Sequence, residues 1–114
     1  MDQQEKIEKI TNALLDKKGT DIVVLNLSGQ TIVADYFVIA TGRNAAQVNA
    51  LSENVDEELS KIGCEPNKTE GLREGKWAIL DYGDIVVHVF EESLREYYTL
   101  DKLWDKGDNV TKIN

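Results

Sequence analysis

Residues 21–27, Asp-Ile-Val-Val-Leu-Asn-Leu, and 36–40, Tyr-Phe-Val-Ile-Ala, do not alternate cleanly between apolar and polar side chains. Both runs are rich in β-branched or aromatic residues and have the length of strands. A strand that is apolar on both faces is covered by helices on both sides or sits centrally in its sheet. The chain therefore has to supply helices that pack on a sheet. Ser28-Gly29-Gln30 breaks the first run as a turn.

The helices are legible around these runs. Ile7, Ile10, Leu14 and Leu15 recur at helical spacing over residues 2–18, Asp2 and Glu5 have the spacing of a capping box, and Gly19 follows as a stop. This apolar face is narrow, which places the helix on the surface of the domain. Residues 44–62 carry a longer stripe, Val48, Leu51, Val55, Leu59 and Ile62. Asn44 and Gln47 are spaced to cap it, and Gly63 ends it. Residues 63–76 hold Gly63, Pro66, Gly71 and Gly75 and read as a loop, with a short strand near Lys68–Glu70.

The segment WAILDYGDIVVHVFEES, residues 77–93, contains two further strands, about 76–81 and 84–90, joined at Tyr82-Gly83. Strand parity puts Asp84, Val86, His88 and Phe90 on one face and Ile85, Val87 and Val89 on the other. Trp77 shares a face with Ile79 and Asp81. Residues 92–98 read as a helix with Leu94 and one of Tyr97 and Tyr98 facing inward, and Leu100, Leu103 and Trp104 extend its apolar face. Residues 1–105 form one domain, and the polar residues 106–114 form a tail expected to fray. The element order gives an α/β (α+β) fold with a mixed sheet flanked by helices.

A chain of 114 residues with 41% hydrophobic content can bury a real core, roughly two-thirds of its unfolded surface. Its net charge of −8 argues against gripping a phosphate backbone, which takes clustered Lys and Arg. Little direct nucleic-acid contact is expected. The single cysteine, Cys64, allows no disulfide within the chain and points to a reducing compartment. The N-terminus lacks an apolar signal core, and no apolar run approaches a membrane span. The chain reads as cytoplasmic.

Candidate chemistry is thin. His88 is the only histidine, and with Asp81 or Asp84 it lacks an obvious third ligand for a metal. The aspartates suit a turn, which they shape through side-chain bonds to the backbone. The strand-to-helix turn Ala40-Thr41-Gly42-Arg43-Asn44 carries neither GxGxxG nor GxxxxGK[ST]. No catalytic residue, metal or cofactor is expected. Trp77, Tyr82, Tyr97 and Tyr98 instead suggest a binding surface, with Tyr82 exposed at the hairpin tip. The residues alone do not place His88 inside or outside.

The ordered segments ADYFVIATG (34–42), QV (47–48), EG (70–71), the run from Trp77 through Leu80-Asp81-Tyr82-Gly83-Asp84 to Val86-Val87-His88-Val89-Phe90, and R-x-Y-Y-x-L-x-x-L-W (95–104) are together similar to the ribosomal silencing factor family, also called Iojap-like. The resemblance covers roughly residues 5–105. It implies a nucleotidyltransferase-like fold without the catalytic carboxylates, and hence no enzyme activity. It also implies docking on the large ribosomal subunit through ribosomal protein uL-fourteen, a block to small-subunit joining, translation silenced under nutrient limitation, and a homodimer when free. The family's docking hairpin maps onto Trp77, Asp81, Tyr82, Gly83 and Asp84, flanked by His88, Arg95 and Tyr98. Where many relatives carry Ser or Thr after Gly42, this chain has Arg43, Asn44 and Ala45, which weakens any anion-binding role for that loop. Two alternatives stand beside this reading: a nucleotide-binding or nucleotidyltransferase-related enzyme, and a homodimer that senses pH through His88.

Overall fold

A computed structural model describes residues 2–98, 100–103 and 105–114, without the side chains of residues 96–98, 100 and 101. The elements are α1 (Gln3–Asp16), β1 (Thr20–Asn26), β2 (Tyr36–Gly42), α2 (Ala45–Ser60), β3 (Lys68–Glu70), β4 (Trp77–Asp81), β5 (Ile85–Glu91), α3 (Glu92–Tyr98), α4 (Leu100–Leu103) and β6 (Val110–Lys112). The strands form one mixed sheet in the order β3-β4-β5-β2-β1-β6. Only β2 and β5 run parallel, with Tyr36 opposite Ile85 and Gly42 opposite Glu91. These two are central, as their unbroken apolar character requires.

Parity then divides the core. Val38, Ala40, Ile85, Val87 and Val89 point to one side, where they pack with Ile10 and Leu14 of α1 and Val48, Leu51, Val55 and Leu59 of α2. Asn54 ties the helices together by donating from Nδ2 to the Ala13 carbonyl at 2.8 Å. Both helices start on side-chain caps: Asp2 accepts from the Glu5 N–H and Asn44 from the Gln47 N–H, each at 2.9 Å. Phe37, Ile39, Val86, Phe90, Val23 and Leu25 point to the other side, with Trp77, Ile79, Leu94 and Val110 partly buried against them. No long helix among the described residues covers this second face; the short α3 lies over part of it. Leu94 packs there as expected, whereas Leu103 is exposed. The side chains of Tyr97, Tyr98 and Leu100, and Trp104 altogether, lie outside the described residues.

Part of the tail forms a strand, which its polar sequence did not suggest. Residues 110–112 pair antiparallel with β1, Val23 opposite Lys112 and Leu25 opposite Val110. Main-chain pairing holds this strand, with only Val110 packed against the sheet, which is why its polar sequence gave no sign of it. Two asparagines pin it. Asn109 Nδ2 donates to the Asn26 carbonyl at 3.1 Å. Asn114 Oδ1 accepts from the Ile22 N–H at 3.0 Å, and its Nδ2 donates to the Gly19 carbonyl at 3.0 Å. Asn114→Ala is expected to lower stability by about 1 kcal/mol and to speed amide exchange at Ile22. Exchange at Ile22 matching the unaltered chain would show that the latch is not closed in solution.

Candidate functional site

The turn between β4 and β5 is displaced by one residue from the position its sequence suggests. The Tyr82 N–H donates to the Ile85 carbonyl at 2.9 Å, so Gly83 and Asp84 form the centre, one residue later than expected. Gly83 has φ +91°, which a II′ hairpin requires at its first central position. Asp81 Oδ1 accepts from the Gly83 N–H at 2.7 Å, the turn-shaping role expected of it.

The shifted centre changes where side chains go. Tyr82 remains in register with the strands, so it points opposite to Asp81 and packs with the helix-side core, only 7% exposed. The expectation of an exposed tyrosine at the tip is therefore overturned. Burial, reinforced by the nearby Asp56 carboxylate, raises its phenol well above the usual range. Asp84 also departs from parity: its carboxylate turns toward Lys6 of α1, at 3.9 Å.

Trp77, Asp81 and His88 do come together on the face that the long helices leave open. Trp77 lies opposite Phe90, Ile79 opposite His88 and Asp81 opposite Val86. The Trp77 and Phe90 rings stack with centroids 4.8 Å apart. Trp77 Nε1 donates to His88 Nδ1 at 3.1 Å, a diagonal contact across the two strands. Phe37 meets the imidazole edge-on at 4.6 Å. Trp77, Ile79 and Asp81 remain half-buried on β4, beside the buried Phe37, His88 and Phe90. Ile79 belongs to this surface although it did not figure among the expected contact residues, and strand parity with Trp77 is the signal; Phe37 is buried beside it.

His88 is only 6% exposed. Desolvation lowers its pKa to about 4, outweighing the opposing charge of Asp81. The ring is therefore neutral at pH 7, and because Nδ1 accepts from Trp77 its proton resides on Nε2. A pH sensor acting between 5 and 8 is inconsistent with that value. The arrangement also offers little to catalysis: the Asp81 carboxylate is engaged by the turn, and His88 is enclosed by rings. Among the described residues, no group of three or more His, Cys, Asp or Glu stands where it could hold a metal ion.

Arg95 sits at the far end of this face from the turn, where Nη1 donates to Thr41 Oγ1 at 2.9 Å. The expected contact through Tyr98 falls on a side chain outside the described residues. At the strand-to-helix turn, Gln47 fills the space an anion would need. Its Oε1 accepts from the Arg43 N–H at 2.6 Å while its N–H is held by Asn44. Gln47 Nε2 in turn donates to the carbonyls of Lys17 and Lys18 at 3.1 and 3.0 Å. Two of the donors at this helix start, the Arg43 and Gln47 N–H groups, are thus already occupied.

A family model described as "Ribosomal silencing factor during starvation" matches residues 1–114. The chain belongs to the ribosomal silencing factor family. It is 41% identical over 102 residues to ribosomal silencing factor RsfS of Bacillus subtilis, covering 89% of this chain and 86% of that protein. A crystal structure of a Chromobacterium violaceum protein superposes with a TM-score of 0.89 at 38% identity, covering 91% of this chain and 87% of that one. A more distant relative is the mouse "Mitochondrial assembly of ribosomal large subunit protein 1", 28% identical over 101 residues, covering 86% of this chain and 44% of that protein. These relatives carry names of regulatory or assembly roles. Among the described residues no helix is long and apolar enough to cross a membrane.

Proposed function

We propose that this member of the ribosomal silencing factor family acts in the cytoplasm by docking on the large ribosomal subunit through ribosomal protein uL-fourteen. Bound there, it obstructs the small subunit and represses translation when nutrients are scarce. The observation that carries this reading is the row of half-buried β4 side chains on the face that α1 and α2 do not cover. Trp77, Ile79 and Asp81 present a half-buried apolar surface with a charged end, with Trp77 fixed by its contacts to the neighbouring rings of His88 and Phe90. A rigid aromatic anchor of this kind loses little conformational freedom on binding. Blocking subunit joining needs no catalytic group, only an interface of about 800 Å² per partner at the place where the second subunit would collide. The same face is the natural contact for a second copy when the protein is free.

Sedimentation of the purified chain with large subunits, followed by addition of small subunits, tests this function. Co-migration with the large subunit and a reduced yield of joined ribosomes are expected. Failure to co-migrate at micromolar concentration would refute the docking reading.

A further inference from the structure

Among the described residues the most exposed large apolar side chain, Ile32, lies on the loop from β1 to β2, next to a second exposed one. Ile32 is fully exposed at 104%, and its neighbour Val33 is 66% exposed. Isolated exposed aliphatic residues are ordinary on protein surfaces. These two are not isolated. The next residue, Ala34, is buried in the cluster that contains Phe37, Val86 and Phe90, with Trp77 and Ile79 packed against it. The loop tip therefore adjoins, through Ala34, the cluster on the Trp77 face of the sheet.

The loop is also held in place. Leu27 N–H donates to the Asp35 carbonyl at 2.7 Å, Gln30 N–H to the Leu27 carbonyl at 2.9 Å, and Asp35 N–H to the Asp84 carbonyl at 2.8 Å. Val33 N–H donates to Thr31 Oγ1 at 3.1 Å. The last backbone bond fastens the loop to the β4–β5 turn, so the finger and the turn present as one unit.

Charge at this end of the sheet selects the occupant. Asp35 is held by the neutral amide of Gln3 at 2.6 Å and Asp81 by a peptide N–H, so neither interaction cancels a charge. Lys6 reaches Asp84, but Lys68, on the strand beside Asp81, lies instead at 3.8 Å from Glu70. An apolar finger flanked by carboxylates fits a basic protein surface with an apolar cleft. Proteins that sit on ribosomal RNA tend to carry such cationic surfaces, because their neighbour is a polyanion.

We propose that Ile32 and Val33 form a preordered hydrophobic finger that inserts into an apolar cleft of a basic ribosomal protein, extending the docking surface around the β4–β5 turn. The proposal rests on the ribosome-docking function above. The test is the double variant Ile32→Ser/Val33→Ser, compared with the unaltered chain for affinity to purified large subunits, for urea unfolding and for mass in solution. Because both side chains are exposed, the unfolding midpoint should stay unchanged. Affinity should fall about tenfold or more, as for loss of a modest hot spot. Equal affinity of the two chains would overturn the finger and leave docking intact. Absence of binding by the unaltered chain would overturn docking itself, and the finger with it. Intact ribosome binding with a dimer converted to monomer would overturn it in favour of a second copy as occupant.

Discussion

Gly71→Ala should destabilise the protein by about 3 kcal/mol, one of the two largest effects expected here of a single change. Gly71 follows β3 and adopts φ +70°, a left-handed conformation that alanine takes only with strain. Neighbours make it worse. A Cβ at this position would lie 2.0 Å from the Trp77 carbonyl oxygen and 3.1 Å from its carbonyl carbon. Both are backbone atoms of the first residue of β4 and cannot swing aside as a side-chain tip would. Relief requires moving either the loop 71–76 or the strand that carries Trp77. Gly29→Ala is the matching control. Gly29 has φ +84° but nothing within 4 Å of the added atom, so only the conformational penalty of about 1 kcal/mol applies. Urea unfolding of both variants, followed by tryptophan fluorescence, separates conformational strain from collision. A Gly71 variant no less stable than the Gly29 variant would mean that the loop yields freely. If the loop does not yield, the displaced Trp77 should also weaken the proposed docking, since Gly71 contacts the backbone at the start of β4.

The two faces of the sheet were legible because strand parity is a local property. Ile85, Val87 and Val89 point to α1 and α2, and Val86, His88 and Phe90 to the open face, as their alternation along β5 predicts. Tyr82 was misplaced by a shift of one residue in the turn. With Gly83-Asp84 as the centre, Tyr82 continues the strand and must face opposite to Asp81. Asp84, at the turn itself, escapes strand parity and meets Lys6 instead. The strand β6 was invisible for a different reason. Its anchors are contacts such as Asn114 with Ile22 and with Gly19, more than ninety residues apart in the chain, and no local pattern encodes them. The position of His88 was undecidable locally too, since it depends on Trp77 eleven positions earlier reaching diagonally across the hairpin. The functional assignment came from the ordered set of motifs, and the geometry then showed which of those residues share a surface.

The second large effect is a pH dependence centred on His88. In the native chain its pKa is about 4, while an unfolded histidine titrates near its ordinary value of 6.5. Between those values the unfolded chain binds a proton that the native chain refuses. Stability is therefore full above pH 6.5 and falls as the pH drops through the window. Below pH 4 both states are protonated and the loss stops growing. The loss across the window is expected to be about 3 kcal/mol. Its structural cause is specific: protonation would place a hydrogen on Nδ1, against the Trp77 N–H that points at the same atom. Asp81 is the charge that opposes the shift, and the rings of Phe37, Trp77 and Phe90 surround the imidazole without adding another. Carboxylates also titrate as the pH approaches 4, so the comparison must be made against His88→Gln, which keeps a polar side chain but does not titrate. Subtracting the stability of the two proteins at each pH cancels the carboxylates. The difference should be constant above pH 7 and shift against the histidine chain by about 3 kcal/mol by pH 4. A constant difference throughout would place His88 in water and undo its contact with Trp77. The predicted slope would instead mean that the proposed docking face keeps one protonation state at neutral pH, so that under the proposed function a proton on this histidine would not be the release signal.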